Sequence, residues 1–332
     1  MHVVILGGGS WGTTVAHLAA HNAPTTLWCR DAEVATAITE RSENPRYLGG
    51  YELHPDLGAT TDLEHAVAGA DLLVMGTPSH VFRETLTLAG EFLRPWVPIV
   101  SLTKGLEHDT KLRMTEVANE VLPGHPAGAL TGPNLAKEIL AGDAAASVIA
   151  MTDDVIAERL QQVFTTPLFR VYVNNDVPGC ELGGALKNVI ALASGMADGL
   201  GTGDNTRAAV ITRGLAELSR LGVAMGGQPL TFAGLAGMGD LLATCISRQS
   251  RNRFVGEQLG LGRTIDEVIA EMDQVAEGVK TARVVTELAE HHGVDMPIAT
   301  EVHGVVARGH TARQAFAGLL SRRLSHETAP GQ

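Results

Sequence analysis

Apolar residues follow two patterns along this chain. Up to about residue 173 they form short unbroken runs separated by amphipathic stretches; beyond it they recur with helical spacing. The runs at residues 2–6, Thr25–Cys29, Asp71–Gly76, Pro98–Leu102, Ala127–Leu130, Ala146–Ala150 and Phe169–Val173 are short and β-rich, which predicts strands buried on both faces. Between them, helical periods span Trp11–His21, Asp31–Arg41, Val81–Leu93, Thr110–Leu122 and Val155–Phe164. Strand alternating with helix predicts a parallel, doubly wound α/β sheet. Ser42–Thr61 breaks the rhythm with Asn44-Pro45, Gly49-Gly50 and His54-Pro55, and reads as a lid-like excursion.

After Asn174 the strand patterns stop. Helical periods rich in small residues cover Glu181–Met196, Arg207–Leu221, Thr264–Met272, Val279–His291 and Glu301–Arg308, predicting an all-α second domain. A chain of 332 residues is comfortable for two domains, expected over residues 1–175 and 176–325.

The first predicted strand runs directly into Gly7-Gly8-Gly9-Ser10-Trp11-Gly12 and then a helix. That is G-x-G-x-x-G in the strand–turn–helix setting that a dinucleotide pyrophosphate requires. Gly7 permits the tight turn, Gly9 lets the backbone approach the phosphates, and Gly12 lets helix pack on strand. The unpaired N–H groups at the helix start favour the anion. Gly8-x-Ser10-x-Gly12 also matches a hydrolase nucleophile elbow, but an elbow needs earlier strands and an upstream loop for its second oxyanion donor. A kinase loop would carry Val where Thr14 stands. The first half is therefore read as a Rossmann-like dinucleotide-binding domain.

A formal net charge of -12 argues against a general nucleic-acid or anionic-membrane binder, so any anionic ligand must be met by local cations. Lysine is scarce, occurring only at 104, 111, 137, 187 and 280. Cys29, Cys180 and Cys245 lie far apart without C-x-x-C, which suits a reduced compartment and buried thiols. His17 and His21 share a helix face but lack the Glu of H-E-x-x-H, so no metal site is expected. With no signal peptide and no apolar run of membrane-spanning length, a cytoplasmic location is expected.

Ligands of doubly wound sheets bind beyond the carboxyl ends of the strands. Three such turns stand out: Thr77-Pro78-Ser79, Ser101–Glu107 with Lys104, and Thr131–Ala136. Gly132-Pro133 reads as a helix start with Pro in its first turn, exposing backbone donors near Asn134 and Ala136. At the end of the second predicted strand, Arg30 would accommodate a 2′-phosphate or stack on adenine, Asp31 would bond ribose hydroxyls, and the two could equally pair with each other. Either NAD or NADP is expected, leaning to NADP.

In the helical half, Gly183–Ala191 sets Lys187 among small and apolar residues. Desolvation there disfavours its charged form, a second cation would disfavour it further, and such a lysine can exchange a proton with an alcohol or ketone. Gly237-Met238-Gly239-Asp240-Leu241 offers a carboxylate to bond substrate or orient the lysine. Ser247–Arg253 holds three guanidiniums, either a phosphate clamp or a helix-start charge cluster.

Together these motifs resemble one family. Gly7–Thr13, Pro78-Ser79-His80, Thr103–Glu107, Gly132–Glu138, Leu186–Ala191, Gly237–Leu241, Gln249–Asn252 and Glu277-Gly278 follow the order found in NAD(P)-dependent glycerol-3-phosphate dehydrogenase of the bacterial type. The resemblance spans nearly the whole chain. It implies interconversion of dihydroxyacetone phosphate and sn-glycerol 3-phosphate, supply of phospholipid synthesis, and a soluble homodimer. It further implies Lys187 as proton acceptor, with Lys104 and Asp240 beside it in the catalytic set. Gly132, Asn134, Lys187, Asp240, Ser250, Arg251 and Asn252 fall on substrate positions together with Lys104. Gly7, Gly9, Ser10, Trp11, Gly12, Arg30, Lys104, Ala136, Arg251, Val275 and Glu277 fall on cofactor positions. Asn134 departs from the Ser or Thr common in its motif. Rival readings are a related two-domain reductase acting on ketopantoate or 6-phosphogluconate, and a catalytically silent dinucleotide sensor.

Overall fold

The computed structural model describes residues 1–272 and 276–322. The chain divides into two compact units, Met1–Glu181 and the part from Leu182 onward.

The first unit is built on one eight-stranded sheet: β1 (Val3–Leu6), β2 (Thr25–Trp28), β3 (Gly58–Thr60), β4 (Leu72–Met75), β5 (Ile99–Ser101), β6 (Ala127–Thr131), β7 (Ala145–Ala150) and β8 (Phe169–Asn174). Their order is β3-β2-β1-β4-β5-β6-β7-β8, so the direction of winding switches between β1 and β4. Side chains alternate across each strand. Val3 and Ile5 enter one core with Val15, Leu18, Leu160 and Phe164. Val4 and Leu6 enter a second, on the opposite face, with Phe82, Leu86 and Val117. Two cores explain why β1 and β4 are buried at every position, whereas in β8 Arg170 and Tyr172 are exposed, so that strand is covered on one face only.

Two features depart from the sequence expectation. β3 was not predicted: Gly58-Ala59-Thr60 carries no apolar run, and it forms as an edge strand inside the expected excursion by pairing with β2. The sheet is also not wholly parallel, because β7 runs antiparallel to β6. Between Thr131 and Ala145 there is room only for the five-residue helix Ala136–Leu140, too little for a covering crossover. The 11-residue helix Asp154–Phe164 then restores a parallel step from β7 to β8.

The second unit is helical among its described residues. The helix Val177–Gly199 runs into it, followed by Asp204–Ala224, Pro229–Ala233, a π-helical turn Leu235–Gly239, Asp240–Ile246 and Arg251–Gly260. Ile265–Ala270, Glu277–His292, Pro297–Ala307 and Ala312–Leu320 complete it. Reciprocal glycines bring two helices into backbone contact. An added Cβ at Gly195 would lie 2.0 Å from the Arg253 carbonyl oxygen, and one at Gly256 would lie 2.1 Å from that of Leu192. All three cysteines are buried. Among the described residues no helix is long and apolar enough to cross a membrane.

Candidate active site

At the switch between β1 and β4, glycine is required by space. Gly7 has φ +129°, and an added Cβ there would stand 2.7 Å from the Gly76 carbonyl oxygen. At Gly12 it would stand 2.0 Å from the Gly7 oxygen, so helix and strand touch backbone to backbone. Gly76, which the sequence reading did not single out, is the third member of this contact: an added Cβ there would stand 3.3 Å from the Gly12 Cα. At Gly9 an added Cβ would meet nothing within 4 Å. Gly9 caps the helix Ser10–Ala20 without any side-chain bond to its N–H groups. That leaves donors at a helix start beside open space, as an anionic pyrophosphate requires.

Around the same strand ends lie buried polar atoms without partners: Trp11 Nε1, Thr77 Oγ1, Ser79 Oγ, Thr131 Oγ1 and Asn134 Oδ1. Such groups are costly unless something polar meets them. Four of these atoms can donate and Asn134 Oδ1 can only accept, so the residues fit a polar ligand that carries both acceptors and donors. Trp11 itself packs on the first core, its ring 6.4 Å from that of Phe169.

The turns after β5 and β6 are joined directly, because Lys104 Nζ donates to the Gly132 carbonyl at 2.8 Å. Gly132 has φ +137°, and beyond it the helix begins only at Ala136, capped by Leu135. The expected helix start at Pro133 is thus displaced; the strained Gly132 turn intervenes. Asn134 donates from Nδ2 to Ser147 Oγ at 3.1 Å, and Ser147 in turn donates to the Thr131 carbonyl.

At the end of β2, Arg30 is exposed, and of the alternatives weighed for it the pair with Asp31 does not form. Asp31 instead caps the helix Ala32–Arg41 through the N–H groups of Glu33 and Val34, and pairs with Arg46 at 2.8 Å. Those interactions, the Arg46 guanidinium first, hold its carboxyl below the usual range. Asn44, buried and unanticipated, ties this segment to the glycine-rich turn by donating to the Gly8 carbonyl and Thr13 Oγ1, both at 2.9 Å.

In the helical unit Lys187 is buried. Its ammonium donates to Asp240 Oδ1 and, at 2.5 Å, to Thr244 Oγ1, while the Thr244 hydroxyl donates to the Asp240 carbonyl. Its charged partner here is the carboxylate of Asp240. Of the two roles foreseen for Asp240, orienting the lysine is the one this geometry displays. Thr244 was missed; its place one turn beyond Asp240 was the available signal. The π-helical turn Leu235–Gly239 delivers Asp240 to its position. The helix carrying Lys187 is anchored near its start by Glu181, which accepts from Arg113 Nη1 at 2.7 Å and the Thr115 N–H at 2.9 Å.

Ser250 caps the helix Arg251–Gly260 by accepting from the Arg253 N–H at 3.2 Å. Of the three guanidiniums nearby, Arg253 pairs with Asp198 at 2.7 Å, Arg248 is exposed, and Arg251 interacts electrostatically with Glu277. Asn252 is buried, donating to Asn188 Oδ1 at 3.0 Å and accepting from the Gly278 N–H at 2.9 Å. Glu277 opens the helix Glu277–His292. Val275 lies outside the described residues.

Comparison with known proteins agrees with this geometry. The family described as NAD-dependent glycerol-3-phosphate dehydrogenase N-terminus matches residues 2–157, and its C-terminus counterpart matches residues 176–317. A Sphingopyxis alaskensis protein named glycerol-3-phosphate dehydrogenase [NAD(P)+] 2 is 59% identical over 100% of this chain and 99% of its own. A Mycobacterium tuberculosis protein, glycerol-3-phosphate dehydrogenase [NAD(P)+] 1, is 56% identical over 98% of this chain and 96% of its own. The crystal structure of glycerol-3-phosphate dehydrogenase from Coxiella burnetii superposes with a TM-score of 0.92 at 35% identity, covering 97% of this chain and 99% of that one. With both halves of the family pattern matched and relatives this similar over the full chain, the protein belongs to the NAD-dependent glycerol-3-phosphate dehydrogenase family.

Proposed function

We propose that this chain interconverts dihydroxyacetone phosphate and sn-glycerol 3-phosphate using NAD or NADP, and so supplies glycerol 3-phosphate for phospholipid synthesis. The observation that carries the reading is the buried Lys187, held by Asp240 and Thr244 in a chain of this family. A bound nicotinamide supplies or accepts the hydride. The chain's own residues bind, orient and move the proton. Lys187 Nζ gives a proton to the substrate's central oxygen in reduction and takes it back in oxidation. Asp240 and Thr244 keep that nitrogen in one orientation, which is the contribution proximity makes to rate.

In this reading the dinucleotide domain, residues 1–175, holds the cofactor. Gly7, Gly9 and Gly12 keep the turn open, and the N–H groups after Gly9, with Ser10 and Trp11, take the pyrophosphate end. Lys104, Gly132, Asn134 and Ala136 line the strand ends beside them. In the helical domain, residues 176–325, Ser250, Arg251 and Asn252 present hydroxyl, guanidinium and amide donors to a phosphate on an otherwise acidic protein. Arg251, Val275 and Glu277 contribute to the cofactor side. The working form is a cytoplasmic homodimer.

The test is NAD(P)H consumption with dihydroxyacetone phosphate, run against ketopantoate and 3-keto-6-phosphogluconate with each reduced cofactor. Turnover specific to dihydroxyacetone phosphate is expected. Preference for another ketone would replace the substrate assignment, and light scattering on the purified protein reads the dimer.

A further inference from the structure

We infer that Arg46 makes the dinucleotide site selective for a 2′-phosphorylated cofactor, the phosphate being met by the guanidiniums of Arg46 and Arg30. The inference rests on the reading that the glycine-rich turn binds a dinucleotide. In a doubly wound sheet, the ribose that distinguishes the two dinucleotides falls beyond the carboxyl end of the second strand, where an acid favours the free hydroxyls and an arginine favours the phosphate. Here the acid at that place is already occupied. Asp31 Oδ1 accepts from the Glu33 and Val34 N–H groups at 3.0 and 3.4 Å, and Oδ2 accepts from Arg46 Nη1 at 2.8 Å. Its charge is balanced, so it neither serves as the open acceptor that ribose hydroxyls seek nor strongly repels a phosphate.

Arg46 is distant in sequence from the β2 end and reaches it because its loop is built onto the site. Asn44 fastens the loop to the Gly8 carbonyl and to Thr13, and Leu48 is fully buried beneath it. The guanidinium lies 5.4 Å from the Tyr47 ring centroid, which limits its freedom. A guanidinium has five N–H donors, and the pair with Asp31 uses one of them. Arg30 is exposed next to Asp31, adding a second guanidinium at the same strand end. With Arg46 balancing Asp31, the exposed Arg30 is a cation in excess of that pair at this strand end, on a chain of net charge -12.

The experiment is calorimetric titration of the full chain with NADP⁺ and NAD⁺, which differ only by the 2′-phosphate. Wild type, Arg46→Ala, Arg46→Lys and Arg30→Ala are compared, with melting curves as a check of folding. Arg46→Ala should weaken NADP⁺ by about tenfold or more while NAD⁺ changes by less than about threefold, the loss expected for one charge-assisted bond. Arg46→Lys should recover part of the loss, and the ratio of kcat/KM values for NADPH and NADH should move in parallel. Equal weakening of both dinucleotides would make Arg46 a loop anchor and overturn the inference, as would no change in either. If the wild type bound neither dinucleotide, the underlying cofactor reading would fall with it.

Discussion

Gly183 lies against the backbone of Ala236 so closely that an added Cβ would stand 2.5 Å from the Ala236 carbonyl oxygen. Each of these residues precedes a member of the buried pair, Lys187 and Asp240, by four positions, about one helical turn. The close approach therefore sets the spacing between the amine and its carboxylate. Gly183→Ala should force the two backbones apart, costing about 1–3 kcal/mol of stability as overpacking does. Turnover should fall with little change in dinucleotide affinity, which steady-state kinetics and a urea melt together will read. Normal turnover would show that the lysine's position does not depend on this contact.

Removing the amine itself separates chemistry from binding. Lys187→Ala should lower kcat by about 10²–10⁴-fold, the range for a positioned acid–base group, with dinucleotide affinity unchanged. The same variant leaves Asp240 buried without its lysine, so a loss of roughly 3–5 kcal/mol in stability is expected. Lys187→Met combined with Asp240→Asn should recover stability but not turnover. Recovery of both would remove Lys187 from the chemistry.

The contact of Gly195 and Gly256 makes a third prediction. Each glycine faces a carbonyl of the other helix at a distance no side chain tolerates, and through this pair the helix Arg251–Gly260 is held against the helix Val177–Gly199. Gly195→Ala should displace the segment from Ser250 to Asn252 and raise the KM for phosphorylated substrate more than it lowers kcat. Substrate kinetics beside dinucleotide titration will distinguish this from general unfolding.

What could be read in advance follows from how local each cause is. The turn Gly7–Gly12, the central strands β1, β4 and β5 buried on both faces, and the switch to helices after Asn174 are written in neighbouring residues, and the structure keeps them. β3 is a product of its neighbour: Gly58-Ala59-Thr60 becomes a strand only because β2 offers an open edge. The antiparallel β7 follows from the length of a connection rather than from its own apolar run. In the candidate site, Lys187 and Asp240 were each visible as unusual residues, but their direct bond joins positions far apart in sequence. Asn44 and Arg46 were hidden for the same reason. Their partners Gly8, Thr13 and Asp31 belong to other elements, so sequence spacing carries no trace of the contact.

Glu217 supplies a pH dependence. It is buried and accepts the N–H groups of Ile298, at 2.8 and 3.1 Å, and Ala299, at 3.2 Å, capping the helix Pro297–Ala307 from outside. Burial pushes its pKa up from 4.5 to about 7, with the two amides pulling the other way. The folded form therefore holds this proton to higher pH than the unfolded chain does. Its contribution to stability is full below pH 4.5 and is lost as pH rises through about 7, at a slope of up to about 1.4 kcal/mol per pH unit. Glu217→Gln should flatten that slope in urea melts taken across the window. An unchanged slope would show that the group titrates alike in both states.

His17 works in the opposite sense. Its Nδ1 accepts the His54 N–H at 2.9 Å, and the rings of His21 and His54 stand 5.0 and 6.5 Å from its own. Burial first, then the two neighbouring imidazoles, lowers its pKa from 6.5 to about 4. A protonated Nδ1 has no lone pair for the His54 amide, so the charged form gives up this contact with the segment that carries Asn44 and Arg46. The contribution is complete above pH 6.5 and declines as pH falls toward about 4, because the unfolded chain takes up the proton first. Hydrogen exchange at the His54 amide should accelerate on acidification relative to the intrinsic rate, and dinucleotide affinity should weaken over the same range. In His17→Gln, whose side-chain oxygen can still accept that N–H, both effects should disappear. If acidification weakened binding equally in that variant, the loop would be responding to some other group.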